Sequence, residues 1–82
     1  MDLDDAARDF KRAASGVAAA KRAAERRIAA AKEREAAARE VLHEAMAKAA
    51  RDGMRPVEIT RRSGYTPERT RQILRAAGIE PD

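Results

Sequence analysis

The side chains with the clearest recognition chemistry lie between Thr66 and Ala77. Small or apolar residues recur there at the i, i+3, i+4, i+7 spacing of a buried helix stripe: Thr70, Ile73, Leu74 and Ala77. The opposite face then carries four polar residues, with Arg69 to one side: Glu68, Arg71, Gln72 and Arg75. Arg can bind guanine O6 and N7 together, Gln can bind adenine N6 and N7, and Glu can accept from cytosine N4. This face therefore predicts contact with the major groove of DNA.

Three further arginines flank the predicted helix and suit the phosphates of a duplex: Arg55, Arg61 and Arg62. Phosphate contacts fix the position of a protein on DNA, whereas base contacts carry the sequence information. The whole chain has a net charge of +4 and a pI near 10.1. This balance favours an acidic partner, and nucleic acid is the usual one.

Turn residues divide the last third of the chain into two short helices. Pro56 suits the first turn of a helix that Ser63-Gly64 ends. Thr66 is an N-cap with Pro67 at the first helical position, and Gly78 ends the second helix. Two short helices joined in this way are typical of a helix-turn-helix.

Two helices cannot enclose the apolar side chains of such a motif, so a third helix must cover them. The motif would contribute Ile59, Tyr65, Ile73 and Leu74, with Met54 and Val57 closing one edge. An apolar stripe upstream supplies the cover: Val41, Leu42, Ala45, Met46, Ala49 and Ala50. This pattern predicts a three-helix unit over residues 41–78, in which His43 is a neutral surface or interface residue.

One ten-residue run, Gly64 to Ile73, resembles the recognition-helix stretch in the fourth region of housekeeping sigma factors. That family has a Thr, then Arg-Glu-Arg, an Ile, and then Arg-Gln-Ile. The resemblance implies a helix-turn-helix docked on promoter DNA, with Glu68, Arg71 and Gln72 at positions that the family uses to reach bases.

The chain departs from that family at two positions. Pro67 stands where the family has a groove-facing Arg, and Thr70 stands where it has an apolar core residue. The resemblance does not extend to the rest of the chain, so binding to core polymerase is not implied. Residues 51–78 also resemble the helix-turn-helix of small bacterial regulators and resolvase-type proteins.

The first half of the chain has a different composition. Residues 3–52 hold no Pro and one Gly, Gly16, and are rich in Ala, Arg, Glu and Lys, which favour helix. Asp2 is a plausible N-cap, and Gly53 is placed to end the helix. The prediction is an all-α fold with a long Ala-rich N-terminal helix, which could kink or break at Ser15-Gly16, running into the helix-turn-helix unit. The predicted divisions are 1–40, 41–78 and a tail, 79–82.

Apolar residues in this helix alternate at spacings of three and four, the signature of a coiled coil. An extra four residues before Ile28 form a stutter, and Glu35 interrupts the seam further on. The larger seam residues are the candidates for homodimerisation: Leu3, Phe10, Val17 and Ile28. Basic residues dominate from Lys11 to Lys32, while residues 2–9 are acidic. The seam leaves parallel and antiparallel pairing open.

Composition also excludes several classes of protein. The absence of Cys and the single His exclude disulfide frameworks and multi-His metal sites. The chain shows no membrane span, secretory signal, Gly-rich phosphate loop or nucleophile–His arrangement. We therefore expect a cytoplasmic, nucleoid-associated protein that is not an enzyme and needs no metal, cofactor or small-molecule ligand.

The preferred interpretation is a small bacterial or phage transcriptional regulator that binds double-stranded DNA as a coiled-coil homodimer. Its predicted DNA contacts are Arg55, Arg61, Arg62, Thr66, Glu68, Arg69, Arg71, Gln72 and Arg75. One alternative is an architectural DNA binder of low sequence specificity that uses the basic block from Lys11 to Lys32. Another is a coiled-coil adaptor whose helix-turn-helix contacts a protein such as RNA polymerase.

Overall fold

The computed structural model describes residues 1–80, and that part of the chain contains three α-helices and no strand. They are α1 (Leu3–Arg51), α2 (Pro56–Ser63) and α3 (Pro67–Ala76). The all-α prediction is confirmed, with a long first helix followed by two short ones. The chain divides into two compact units, Met1–Arg34 and a second that begins at Glu35. The predicted tail, residues 79–82, lies partly outside the described residues.

The amino-terminal unit is helical from Leu3 onward. The Asp2 carboxylate accepts a hydrogen bond of 2.8 Å from the Asp5 backbone N–H, as an N-cap does. Asp4 and Asp5 in the first turn suit the positive end of the helix dipole. Gly16 lies inside α1, so the helix does not break there. No residue of this unit is buried.

Helix α1 ends in a Schellman motif built on Gly53. Gly53 has a φ of 103°, in the region that glycine adopts without strain. Its N–H donates to the Ala50 carbonyl at 3.1 Å, and the N–H of Met54 donates to the Ala49 carbonyl at 2.9 Å. The chain therefore leaves α1 at the predicted glycine and turns into α2.

The core of the carboxy-terminal unit lies where the three helices meet. Met46 of α1, Ile59 of α2, and Ile73 and Leu74 of α3 are between 0% and 5% exposed. Half-buried side chains surround them: Leu42, Ala49, Ala50, Met54, Tyr65 and Ile79. Covering by the end of α1 was predicted from the apolar stripe, and the structure confirms it.

Three residues predicted for this core are exposed instead. Val41 is 65% exposed, Val57 is 77% exposed, and Ala45 is also exposed. Successive helical residues are turned by about 100°, so Val41 lies away from the inward side set by Leu42, and Val57 lies opposite Ile59. The apolar residue types suggested a wider buried stripe than the geometry of the helix allows.

Candidate functional site

Helix α3 is fixed at both ends by local hydrogen bonds. The Thr66 hydroxyl accepts from the Arg69 backbone N–H at 3.1 Å, and Pro67 opens the helix. At the far end Gly78 has a φ of 80°, and the Ile79 N–H donates to the Leu74 carbonyl at 2.9 Å. The predicted N-cap and glycine stop are both present. Thr66 therefore has a structural role, whether or not it also contacts DNA.

The inward side of α3 anchors it to α2 and α1. Thr70 and Leu74 are fully buried, and Ile73 is 5% exposed. The Thr60 hydroxyl donates to the Thr70 hydroxyl at 2.8 Å, which satisfies a polar group inside the core. Ala77, which the sequence pattern placed on this stripe, is exposed and lies one residue beyond the end of α3 at Ala76.

The outward side of α3 presents the four residues that the sequence assigned to bases, with Arg69 beside them. All five side chains are exposed: Glu68, Arg69, Arg71, Gln72 and Arg75. We refer to them as the recognition face. The structure thus brings the predicted base-contacting residues together on one surface, and their own chain does not bury them.

Two pairs within the recognition face interact with each other. Arg71 Nη1 lies 3.1 Å from Glu68 Oε2, one helical turn away. Arg69 Nη1 donates to Gln72 Oε1 at 3.4 Å. Exposed pairs of this kind add little to stability, so these polar groups can exchange partners at low cost when a base edge approaches.

The arginines assigned to phosphates are held differently. Glu58 accepts hydrogen bonds from Arg61 and from Arg62, the latter at 2.8 Å. These bonds, with Arg61 making the larger contribution, lower the pKa of Glu58 to about 2. The same contact raises the pKa of Arg61. Both guanidinium groups are mostly exposed, but one carboxylate partly neutralises them.

Arg55 is the remaining predicted phosphate contact. It is exposed and occupies the N-cap position of α2. Among residues 1–80 it forms no ion pair. Its positive charge is therefore less compensated than those of Arg61 and Arg62.

The sequence did not predict the contact between His43 and Tyr65. His43 Nε2 and the Tyr65 hydroxyl share a hydrogen bond of 3.0 Å, and both side chains are half-buried. The Arg69 guanidinium carbon lies 6.0 Å from the centre of the Tyr65 ring. His43 thus links α1 to the turn before α3. The i, i+4, i+7 series of His43, Ala47 and Ala50 was the signal that could have shown it facing inward.

A groove of about 340 Å³ runs between α1 and α3 beside the recognition face. Its walls include Glu40 and Glu44 from α1 and Arg69 and Gln72 from α3. The two carboxylates place negative charge beside that edge of the recognition face. A phosphate backbone that approaches α3 from the side of Arg71 and Arg75 would therefore be repelled less than one that approaches from the side of Glu40 and Glu44.

The proposed dimerisation residues all lie on the surface of the amino-terminal unit. Leu3 is 82% exposed, Phe10 73%, Val17 59% and Ile28 55%. Such large apolar side chains leave a face open along α1. Glu35, which interrupts the sequence seam, forms an ion pair of 3.2 Å with Arg39.

No family model, curated protein or solved structure matches the chain. In residues 1–80 no cluster of three or more His, Asp or Glu side chains is placed to hold a metal ion. None of the helices in the described range has the length and apolar character needed to cross a bilayer.

Proposed function

We propose that the chain is a sequence-specific DNA-binding protein, and that it inserts α3 into the major groove. The observation that carries the proposal is the division of α3 into two sides. Thr70, Ile73 and Leu74 fix the helix from within, while Arg71 and Gln72 remain exposed on the other side. A helix held in this way can present side chains to base edges without reorganising its core.

The charges around α3 support the same proposal. Residues 51–77 contain seven Arg against three acidic residues, a net charge of +4. Arg55 lies at the start of α2, and Arg61 and Arg62 lie near its end, where they can approach phosphates. In this proposal they position the protein, and the recognition face reads the sequence.

The protein would act as a homodimer that pairs through Leu3, Phe10, Val17 and Ile28. Two-fold symmetry would then favour paired half-sites on the DNA. The run from Gly64 to Ile73 resembles sigma factors, and residues 51–78 resemble small bacterial regulators. Both resemblances suggest a transcriptional role, in the cytoplasm and at the nucleoid of a bacterial cell.

The deciding experiment compares Arg71→Ala with Arg62→Ala on a selected site and on random duplex. The selected site comes from genome-wide recovery of bound fragments. Arg71→Ala should weaken specific binding by about 1–3 kcal/mol and relax the preference at one base. Arg62→Ala should weaken binding to all sequences alike and reduce the salt dependence. Identical effects of the two changes on both DNAs would exclude base reading by α3.

A second candidate function, low-specificity architectural binding, has one observation in its favour. Within residues 1–80, none of the seven basic side chains from Lys11 to Lys32 belongs to an ion pair. Such a block can follow a DNA backbone through charge alone. Equal affinity for genomic and scrambled duplex in a competition titration would favour this function over sequence-specific regulation.

A further inference from the structure

Helix α1 carries an apolar face that no other part of residues 1–80 covers. Leu3, Phe10, Val17 and Ile28 are 55–82% exposed. The first and last of them are 25 residues apart, which is about seven helical turns. All four therefore lie on the same side of the helix. An isolated helix in water is marginal and gains most of its stability from packing, so this face needs a partner.

The charges beside this face are sorted into two blocks of equal size and opposite sign. Residues 2–9 hold four Asp and one Arg, a net charge of −3. Residues 21–28 hold four basic residues and Glu25, a net charge of +3. In a parallel pair in register, each block would face an identical block and repel it. In an antiparallel pair with Ala6 opposite Ala24, each negative block faces a positive one.

Side-chain size favours the same arrangement. With Ala6 opposite Ala24, Phe10 faces Ala20 of the second copy and Val17 faces Ala13. A large side chain opposite a small one in successive layers keeps the helix separation uniform. A parallel pair would instead stack Phe10 on Phe10 and Ala13 on Ala13, so wide and narrow layers would alternate and leave gaps.

We propose that residues 3–28 pair with the same residues of a second copy in antiparallel orientation. The attraction between residues 2–9 of one copy and residues 21–28 of the other sets the register. This inference rests on the homodimer in the proposed function and adds its orientation. It concerns the amino-terminal unit alone and is independent of how α3 meets DNA.

Disulfide cross-linking of the chain of residues 1–82 tests the orientation, because these residues include no Cys. Ala6→Cys and Ala24→Cys are made in separate proteins, one of them tagged so that the mixed dimer has its own mass. The two positions are about 27 Å apart along one helix, and a disulfide needs Cα atoms within about 7 Å. The antiparallel pair predicts a disulfide in the mixture and none in either protein alone.

The other outcomes separate this inference from the function it rests on. A disulfide in Ala6→Cys alone, with none between positions 6 and 24, would show parallel pairing and overturn the orientation while keeping the homodimer. If the protein is a monomer in sedimentation equilibrium and no sample forms a disulfide, both the homodimer and its antiparallel orientation are wrong. DNA binding by the same unsubstituted protein is measured separately, so loss of the dimer and loss of DNA binding are distinguishable.

Discussion

The two units of the chain differ in where their apolar side chains lie. The carboxy-terminal unit closes Met46, Ile59, Ile73 and Leu74 into a core that is at most 5% exposed. The amino-terminal unit has no buried residue and leaves Phe10 73% exposed. The carboxy-terminal unit thus shields its largest apolar groups within one chain, whereas those of the amino-terminal unit are exposed and would be covered in the proposed homodimer. Folding and self-association should therefore respond to different substitutions.

The largest effect is expected from truncation within the closed core. Leu74 is fully buried, so Leu74→Ala loses its transfer free energy and leaves a cavity. We expect the free energy of unfolding to fall by about 2–5 kcal/mol, measured by urea denaturation followed by circular dichroism. Val57→Ala, at a site 77% exposed, is the control and should change little. Equal losses in both variants would contradict a core centred on α3.

A smaller effect, confined to association, is expected on the open face of α1. Full burial of a Phe side chain is worth about 1.5–3 kcal/mol, so Phe10→Glu should raise the dimer dissociation constant at least about tenfold. Sedimentation equilibrium measures it. Ala19 lies nine residues further along, on the opposite side of the helix, so Ala19→Glu is a matched control. If Ala19→Glu raises the dissociation constant as much as Phe10→Glu does, the apolar face is not the interface.

Local signals in the sequence were sufficient to predict the helix ends. Asp2 and Thr66 cap helices, and Gly53, Gly64 and Gly78 have positive φ, each as its residue type and position predict. These features depend on a few neighbouring residues, and the sequence displays those neighbours directly. The recognition face was predictable for the same reason, since a buried stripe fixes which side of a helix remains exposed.

Features that depend on contacts between helices were not predictable in the same way. The hydrogen bond between His43 and Tyr65 joins residues 22 positions apart, and no periodicity reports such a pair. The bonds from Arg61 and Arg62 to Glu58 are different, because they lie within one helix at the i, i+3 and i, i+4 spacings, and that spacing was a signal that could have shown them. Val41 and Val57 were wrongly predicted to be buried, because an apolar residue type alone does not show how a helix is rotated about its own axis when it packs on another helix.

The smallest effect is expected on the pH dependence of stability, and it concerns Glu58 in the carboxy-terminal unit. Arg61 and Arg62 hold the pKa of Glu58 at about 2, below the ordinary 4.5. A carboxylate with a lowered pKa stabilises the fold above its unfolded pKa and loses that contribution as pH falls. The loss should begin at about pH 5 and continue as the pH falls through about 2. Glu58→Gln should remove this part of the pH dependence, measured as the unfolding midpoint between pH 5 and pH 2.

The matched control for Glu58 is Glu68→Gln on the recognition face. Glu68→Gln removes an exposed carboxylate that pairs with Arg71 alone, and it leaves the cluster of Glu58, Arg61 and Arg62 intact. If the two variants keep the same acid limb as the unsubstituted protein, the Glu58 cluster does not persist in solution. Arg61 and Arg62 would then be uncompensated charges, as available to phosphates as Arg55, and the electrostatic contrast between Arg55 and the two arginines of α2 would disappear.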